Sequence, residues 1–241
     1  MEAFCILLTG NIAPSGVPNL VRSNPSEREN DYVQSLTKWL ETGHSVVFCE
    51  NSGYCSTRIS ALFEKYPNGE FLQFATTQSH LGKGHGEAEI MEYAYRYSTK
   101  LQQHSGWIAK VTGRNFVENY KPIFSSVVSI EKGEIVANLE DNLRFADSRM
   151  FFFKSAFFES YLAQQLILIY EQQGIFFEHC LARAIHLYLG NGGNWYPLPI
   201  APNLVGYYAS ANLPYKNDYF RKSKRRFIQS LRNWAIRYRP W

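Results

Sequence analysis

Apolar residues in the first half of the chain fall into short unbroken runs separated by longer stretches with a helical repeat. FCILLT (Phe4 to Thr9), SVVFC (Ser45 to Cys49), EFLQF (Glu70 to Phe74) and WIAKV (Trp107 to Val111) are the runs. They predict strands of a largely parallel sheet, and the lack of polar alternation in FCILLT predicts one buried on both faces. Between the first two, SERENDYVQSLTKWLETG sets Tyr32, Leu36, Trp39 and Leu40 on one helical face, with Ser26 and Glu29 as a capping box and Gly43 as a stop. STRISALFEKY predicts a short helix, and GEAEIMEYAYRYSTKLQQHS a long one with Ile90, Tyr93, Ala94, Tyr97 and Leu101 on one face. This alternation is that of an α/β fold.

Past Gly113 the pattern changes. SSVVSIEKGEIVANL predicts a β-hairpin turning at Lys132 and Gly133, and SRMFFF a strand. KSAFFESYLAQQLILIYEQQG and IFFEHCLARAIHLYLG predict two helices. The segment from Asn191 to Pro214, rich in Asn, Gly, Pro and Tyr, reads as ordered loop around a pocket, with a plain linker as the alternative.

The 241 residues, 45% of them hydrophobic, suffice for a buried core. The division expected is a catalytic domain over 1–215, with a nucleotide-binding half at 1–122 and an acceptor half at 123–215, followed by a tail at 216–241. MEAFCILLTG lacks a basic leader and reads as a first strand, and no apolar run approaches the roughly 18 residues of a membrane span. Four cysteines without C-x-x-C spacing suggest neither a zinc site nor a disulfide framework, which fits the cytoplasm. The net charge of +4 is unevenly spread, because Lys216 to Arg239 hold nine Lys or Arg against one acid, Asp218. An acidic body therefore carries a basic tail.

Ligands of open α/β sheets sit outside the carboxyl ends of strands. Three polar, glycine-bearing loops are expected there: Thr9-Gly10-Asn11, Glu50-Asn51 and the stretch SHLGKGHGE with Lys83, Gly84 and Gly86. A glycine-rich loop entering a helix is suited to phosphate, since free N–H groups and the helix dipole point at the anion. GKGHGE is neither a Walker A loop nor G-x-G-x-x-G, and a capped turn is the plain alternative. Glu50 and Asn51 are placed to receive a base or ribose; Arg28 and Asp31 read as exposed helix charges, with a reach into the same pocket as the alternative.

The succession of strand, loop, glycine-lysine loop, long helix and strand with a polar end resembles the nucleotide-binding half of GT-A glycosyltransferases. GKGHGEAEIMEYA, KVTGRN, DSRMFF and FEHCLARAI are similar to segments of the small glycosyltransferases of bacterial surface-polysaccharide (lipopolysaccharide or capsule) assembly. The resemblance implies a GT-A-like, Rossmann-like, mostly parallel sheet flanked by helices, with a C-terminal helical and basic region. It also implies a nucleotide-sugar donor, UDP-hexose first, and a lipid-linked or lipid-core saccharide acceptor. Where the family holds its metal with D-x-D, this chain has Thr112-Gly113-Arg114. No cofactor is therefore expected, with Mn or Mg the open alternative. Fixed cations can neutralise a leaving diphosphate instead, and Lys83, Lys110 and Arg114 are the candidates. Asp147 and Arg149 of Asp147-Ser148-Arg149 are a second place for donor or metal, or simply a local ion pair. An inverting transferase needs a base for the acceptor hydroxyl. Glu178, at the start of a late helix, is that candidate; His179 would orient it or touch phosphate, or is a packed core histidine.

In the tail, Phe220, Phe227, Leu231, Trp234 and Tyr238 form one helical stripe among Lys and Arg. That composition suits an interfacial helix on the anionic inner leaflet of the cytoplasmic membrane. A nucleic-acid-binding protein using this basic aromatic stretch is the alternative function, and docking of the helix on the body the third possibility.

Overall fold

The computed structural model describes residues 4–17, 20–208, 212–215 and 219–237. Its centre is a seven-stranded sheet of β1 (Phe4–Gly10), β2 (Ser45–Glu50), β3 (Gly69–Gln73), β4 (Trp107–Thr112), β5 (Ile135–Val136), β6 (Met150–Phe153) and β7 (Trp195–Tyr196), in the order β7-β5-β6-β4-β1-β2-β3. β1 lies parallel to both β2 and β4, β2 to β3 and β7 to β5, while β6 runs antiparallel between β4 and β5. The fold is thus α/β with a mostly parallel sheet flanked by helices.

The unbroken apolar runs are explained by burial on both faces. Cys5 and Leu7 of β1 enter one core, with Ile90, Met91 and Ala94 of α3 (Lys83–Tyr97) and Leu181 and Ile185 of α5 (Phe177–Gly190). Phe4, Ile6 and Leu8 enter the other, with Tyr32, Leu36 and Trp39 of α1 (Pro25–Leu40), Ile59 of α2 (Thr57–Lys65) and Phe124 and Val127 of α4 (Tyr120–Val128). Among the described residues no helix is long and apolar enough to cross a membrane.

Several boundaries differ from expectation. α1 is capped by Asn24, whose side chain accepts from the Ser26 and Glu27 amides, with Pro25 in its first turn; Glu29 instead accepts from Ser56. The first strand of the hairpin predicted over SSVVSIEKGEIVANL does not form: Ser125 to Val128 complete α4, whose Ile123, Phe124 and Val127 are buried together on one face. Burial at helical spacing overrides the strand preference of the β-branched residues there. The helix expected over KSAFFESYLAQQLILIYEQQG breaks into Ser155–Phe157, a π-turn at Phe158–Leu162 and Ala163–Leu166. In the expected loop, Trp195–Tyr196 joins the sheet edge and Leu204–Val205 pairs with Phe116–Val117.

The helix expected to run from Gly86 to Ser105 begins at Lys83 and stops at Tyr97; Ser98 then caps a separate turn, Thr99–Gln102. Glu70 of β3 accepts from the Ser98 hydroxyl and from the Thr99 and Lys100 amides. Burial alone would raise the Glu70 pKa, but these hydrogen bonds outweigh it and hold the carboxyl below its usual value. A carboxylate depressed on folding contributes stability that is complete above its unfolded pKa and is lost as pH falls through the folded one. Glu70→Gln is therefore expected to be less stable than wild type near neutral pH, with the difference shrinking under acid. Urea titrations at neutral and acid pH check this; a difference that does not shrink would contradict it.

Candidate active site

β1 has its sequence-order neighbour β2 on one side and β4 on the other, so the chain reverses its direction of travel across the sheet at the β1–β4 boundary. Such a switch point opens a crevice at the carboxyl ends of the strands. A cavity of about 240 Å³ lies there. Thr9, Gly10 and Asn11 line it from the end of β1, Asn51 from β2, Thr112 and Arg114 from β4, Lys83, Gly86 and Glu87 from α3, and Glu178 from α5. Most of the residues singled out in the sequence are thereby brought together, from segments far apart in the chain.

The Asn11 loop is built from α1. Arg28 Nε donates to the Asn11 carbonyl at 2.9 Å, and the Asn11 amide donates to the Tyr32 hydroxyl at 2.8 Å. Both side chains also line the cavity. Arg28 and Asp31 are buried, not the exposed helix charges expected, since Arg28 clamps this loop and Asp31 receives Arg22 at 2.7 and 2.9 Å. Asn11 Nδ2 donates to Asn51 Oδ1 at 2.9 Å, and Asn51 Nδ2 to the Gly86 carbonyl at 3.2 Å, tying the three rims together.

Three cations converge on the cavity. Burial lowers the Lys83 pKa; Glu171 opposes this, while Arg114 and Arg28 add to it. Burial likewise lowers Arg28, and Arg114 pushes in the same direction. Arg114 thus acts against the charged form of both Lys83 and Arg28, which places the three cations close enough together to meet one anion.

Four residues expected at the donor site stand outside the cavity lining. Glu50 is fully buried; its carboxylate accepts from the Ile12 and Ser52 amides at 2.8 Å each and from Gln73 at 3.1 Å, so it fastens the loops and presents nothing to a ribose. Lys110 is also fully buried beneath the cavity, paired with Glu87 and donating to the Ser148 carbonyl at 2.7 Å. Burial lowers its pKa, with Glu178 and Asp147 opposing. Gly113 packs against β1, where a Cβ would stand 2.7 Å from the Thr9 carbonyl. Gly84 lies inside the first turn of α3, and its amide donates to Glu171. A Cβ on Gly84 would stand 2.9 Å from the Phe177 nitrogen, so the glycine lets the starts of α3 and α5 meet. GKGHGE therefore forms the start of α3, with Gly82, Lys83 and Gly86 lining the cavity and the Gly84 amide taken by Glu171.

Glu178 takes a hydrogen bond from Ser148 Oγ at 2.8 Å, which fixes one carboxylate oxygen. His179 does not line the cavity. Its Nδ1 accepts from the Phe176 amide at 3.1 Å, capping α5, and its ring stands edge-on to Phe145 at 5.3 Å. Asp147 and Arg149 form a two-pronged ion pair, at 2.8 and 2.6 Å, beside a different cavity shared with Asn138, Gln229 and Arg232. Their carboxylate and guanidinium are thus engaged with each other and not with the first cavity. Among the described residues no three His, Cys, Asp or Glu gather as a metal site would need. Glu87, Tyr32 and Ser148 were not expected at the site from the sequence. Glu87 follows the last glycine of GKGHGE directly, the one local signal that could have flagged it.

No family model matches the chain, and no curated protein is significantly similar to it in sequence. Solved structures do show likeness. The inositol-1-phosphate CTP transferase of T. maritima aligns at 13% identity and a TM-score of 0.49, over 95% of this chain and 97% of that one. The glycosyltransferase GlyE of Streptococcus pneumoniae aligns at 6% identity and a TM-score of 0.49, over 82% of this chain and 45% of that one. The nucleoside-diphosphate-sugar pyrophosphorylase of Vibrio cholerae aligns at 10% identity and a TM-score of 0.47, over 80% and 90%. At such scores neither fold nor function is taken from them; the chain's own residues carry both.

Proposed function

We propose that the chain is a glycosyltransferase that moves a sugar from a nucleotide-sugar donor, UDP-hexose first, to a lipid-linked or lipid-core saccharide in bacterial surface-polysaccharide synthesis. The observation that carries the reading is the convergence of Arg28, Lys83 and Arg114 on one cavity that also holds the anchored carboxylate of Glu178. The choice of donor and acceptor rests on the sequence resemblance. In the reaction, the acceptor oxygen attacks the anomeric carbon and gives its proton to Glu178. The bond from that carbon to the phosphate oxygen breaks, and the nucleoside diphosphate leaves with the electron pair. Cations fixed before the reaction stabilise that leaving charge without reorganising.

Two expectations follow from Arg114, which stands where the resembling enzymes carry a metal-binding carboxylate. Activity survives chelation by EDTA, and Arg114→Ala weakens donor binding about tenfold or more, the worth of a charged hydrogen bond. Full EDTA inhibition reversed by Mn²⁺ would contradict the first, and unchanged donor affinity the second.

The reaction class is tested by its products. The chain is incubated with UDP-, GDP-, CMP- and dTDP-sugars and a lipid-linked saccharide extract. Nucleotide release that depends on the acceptor, with the sugar appearing on it, is expected. Release of pyrophosphate from a nucleoside triphosphate and a sugar phosphate, with no sugar transfer, would overturn the reading in favour of nucleotidyl transfer.

A further inference from the structure

The C-terminal helix α6 (Tyr219–Arg237) is docked with its polar side inward. Gln229 is buried and exchanges hydrogen bonds with Asn138 in both directions, at 3.0 and 3.1 Å, while donating to the Leu198 carbonyl at 2.6 Å. Asn233 donates to the Pro199 carbonyl at 2.9 Å, and Lys222 and Arg232 each pair with a body carboxylate, Glu118 and Glu140, at 3.2 Å. The apolar stripe points the other way. Phe227, Leu231 and Trp234 are 65%, 48% and 62% exposed at successive helical spacings. Lys224 and Arg226 are exposed beside them, and the helix contains no Asp or Glu. Phe220 and Tyr238, expected in the same stripe, fall outside the described side chains. An amphipathic helix serving only the core turns its apolar side inward; here polar bonds hold it outward.

A line of contacts joins this helix to the edge of the cavity. Glu140, held by Arg232, precedes a turn in which Asp141, Asn142 and Leu143 all have positive φ, at 44°, 54° and 66°. Three such residues in succession are strained, and the turn they form leaves Leu143 48% exposed. The Leu143 carbonyl meets the His186 ring at 2.8 Å, Phe145 meets His179, and His179 stacks with the exposed Phe176, two residues before Glu178.

We propose that this face seats the protein on a bilayer containing anionic lipid. Trp234, Phe227 and Leu231 enter the headgroup boundary, and Lys224 and Arg226 meet lipid phosphates. Charge decides between occupants. The inward cations of α6 are matched by Glu118 and Glu140, whereas the outward face presents cations and apolar groups with no acid on the helix. A second copy of the same face would oppose like charges. The docking stands apart from the transferase reading, which concerns the cavity.

The full chain is sedimented with vesicles of phosphatidylcholine alone or mixed with phosphatidylglycerol. Binding to the mixed vesicles is expected, weakening with salt. Lys224→Ala with Arg226→Ala should lower partition about 25-fold, about fivefold for each charge. Phe227→Ala with Leu231→Ala should lower it at least tenfold, with an unchanged melting temperature because both side chains are exposed. The proposal is overturned if wild type ignores phosphatidylglycerol, or if both double variants bind as wild type does. A dimer that forms without lipid and is lost in Trp234→Ala would assign the face to a second copy. Retention of RNA or DNA without vesicle binding would assign it to nucleic acid. UDP binding measured without vesicles stays normal in both double variants, so a failure here is separable from a failure of the cavity's reading.

Discussion

Glu178→Gln is expected to lower turnover about 10²-fold or more while leaving nucleotide binding intact. The amide keeps the size of the side chain and an oxygen for the Ser148 hydroxyl, which donates to Glu178 at 2.8 Å, but it cannot take a proton. His179→Ala should do less, since its ring caps α5 and does not reach the cavity. Steady-state kinetics of the two variants decide the matter. An inactive His179 variant beside a nearly normal Glu178 variant would move the base to the imidazole. If both keep full activity, α5 is scaffold only.

The second large effect is on stability. Lys110 is the fully buried cation under the cavity, and Glu87 is the carboxylate in contact with it. Removing one partner of such a pair leaves the other buried and uncompensated, at a cost of about 3–5 kcal/mol. Glu87→Ala is expected at the lower end, because the charges of Glu178 and Asp147 still favour the ammonium. Replacing both partners, as Lys110→Met with Glu87→Leu, should recover much of the loss. Turnover should not recover, because Lys110 also holds the carbonyl of Ser148, the residue that anchors Glu178. Urea unfolding of the single and double variants measures this. A Glu87→Ala cost under about 1 kcal/mol, the range of an exposed pair, would show that the pair does not act as a buried one.

β1, β2 and β4 were legible because they are covered on both faces, which leaves apolar runs: Leu7 and Leu8 face opposite cores. The convergence of the Thr9, Asn51 and Lys83 loops followed from strand polarity alone. What the chain hid is long-range pairing. Glu50 looked like a ligand residue because nothing local shows that the Ile12 and Gln73 segments would satisfy its carboxylate. Lys110 was recognisable as costly in an apolar strand, but its partner lies 23 residues away on α3. Likewise GKGHGE read as a loop until Glu171, from a distant segment, took the Gly84 amide. The tail's stripe was plain in the sequence; that its polar side would be the docked one depends on Asn138, 91 residues from Gln229.

The central claim is that the positive cavity at the switch point holds the diphosphate of a nucleotide sugar. Equilibrium titration of the intact chain with uridine, UMP, UDP and UDP-glucose, repeated with Arg114→Ala, tests it most directly. Affinity should climb about tenfold or more with each phosphate, fall with salt, and lose most of the UDP increment in the Arg114 variant. Equal affinity for uridine and UDP, or a UDP increment untouched by Arg114→Ala, would contradict the account.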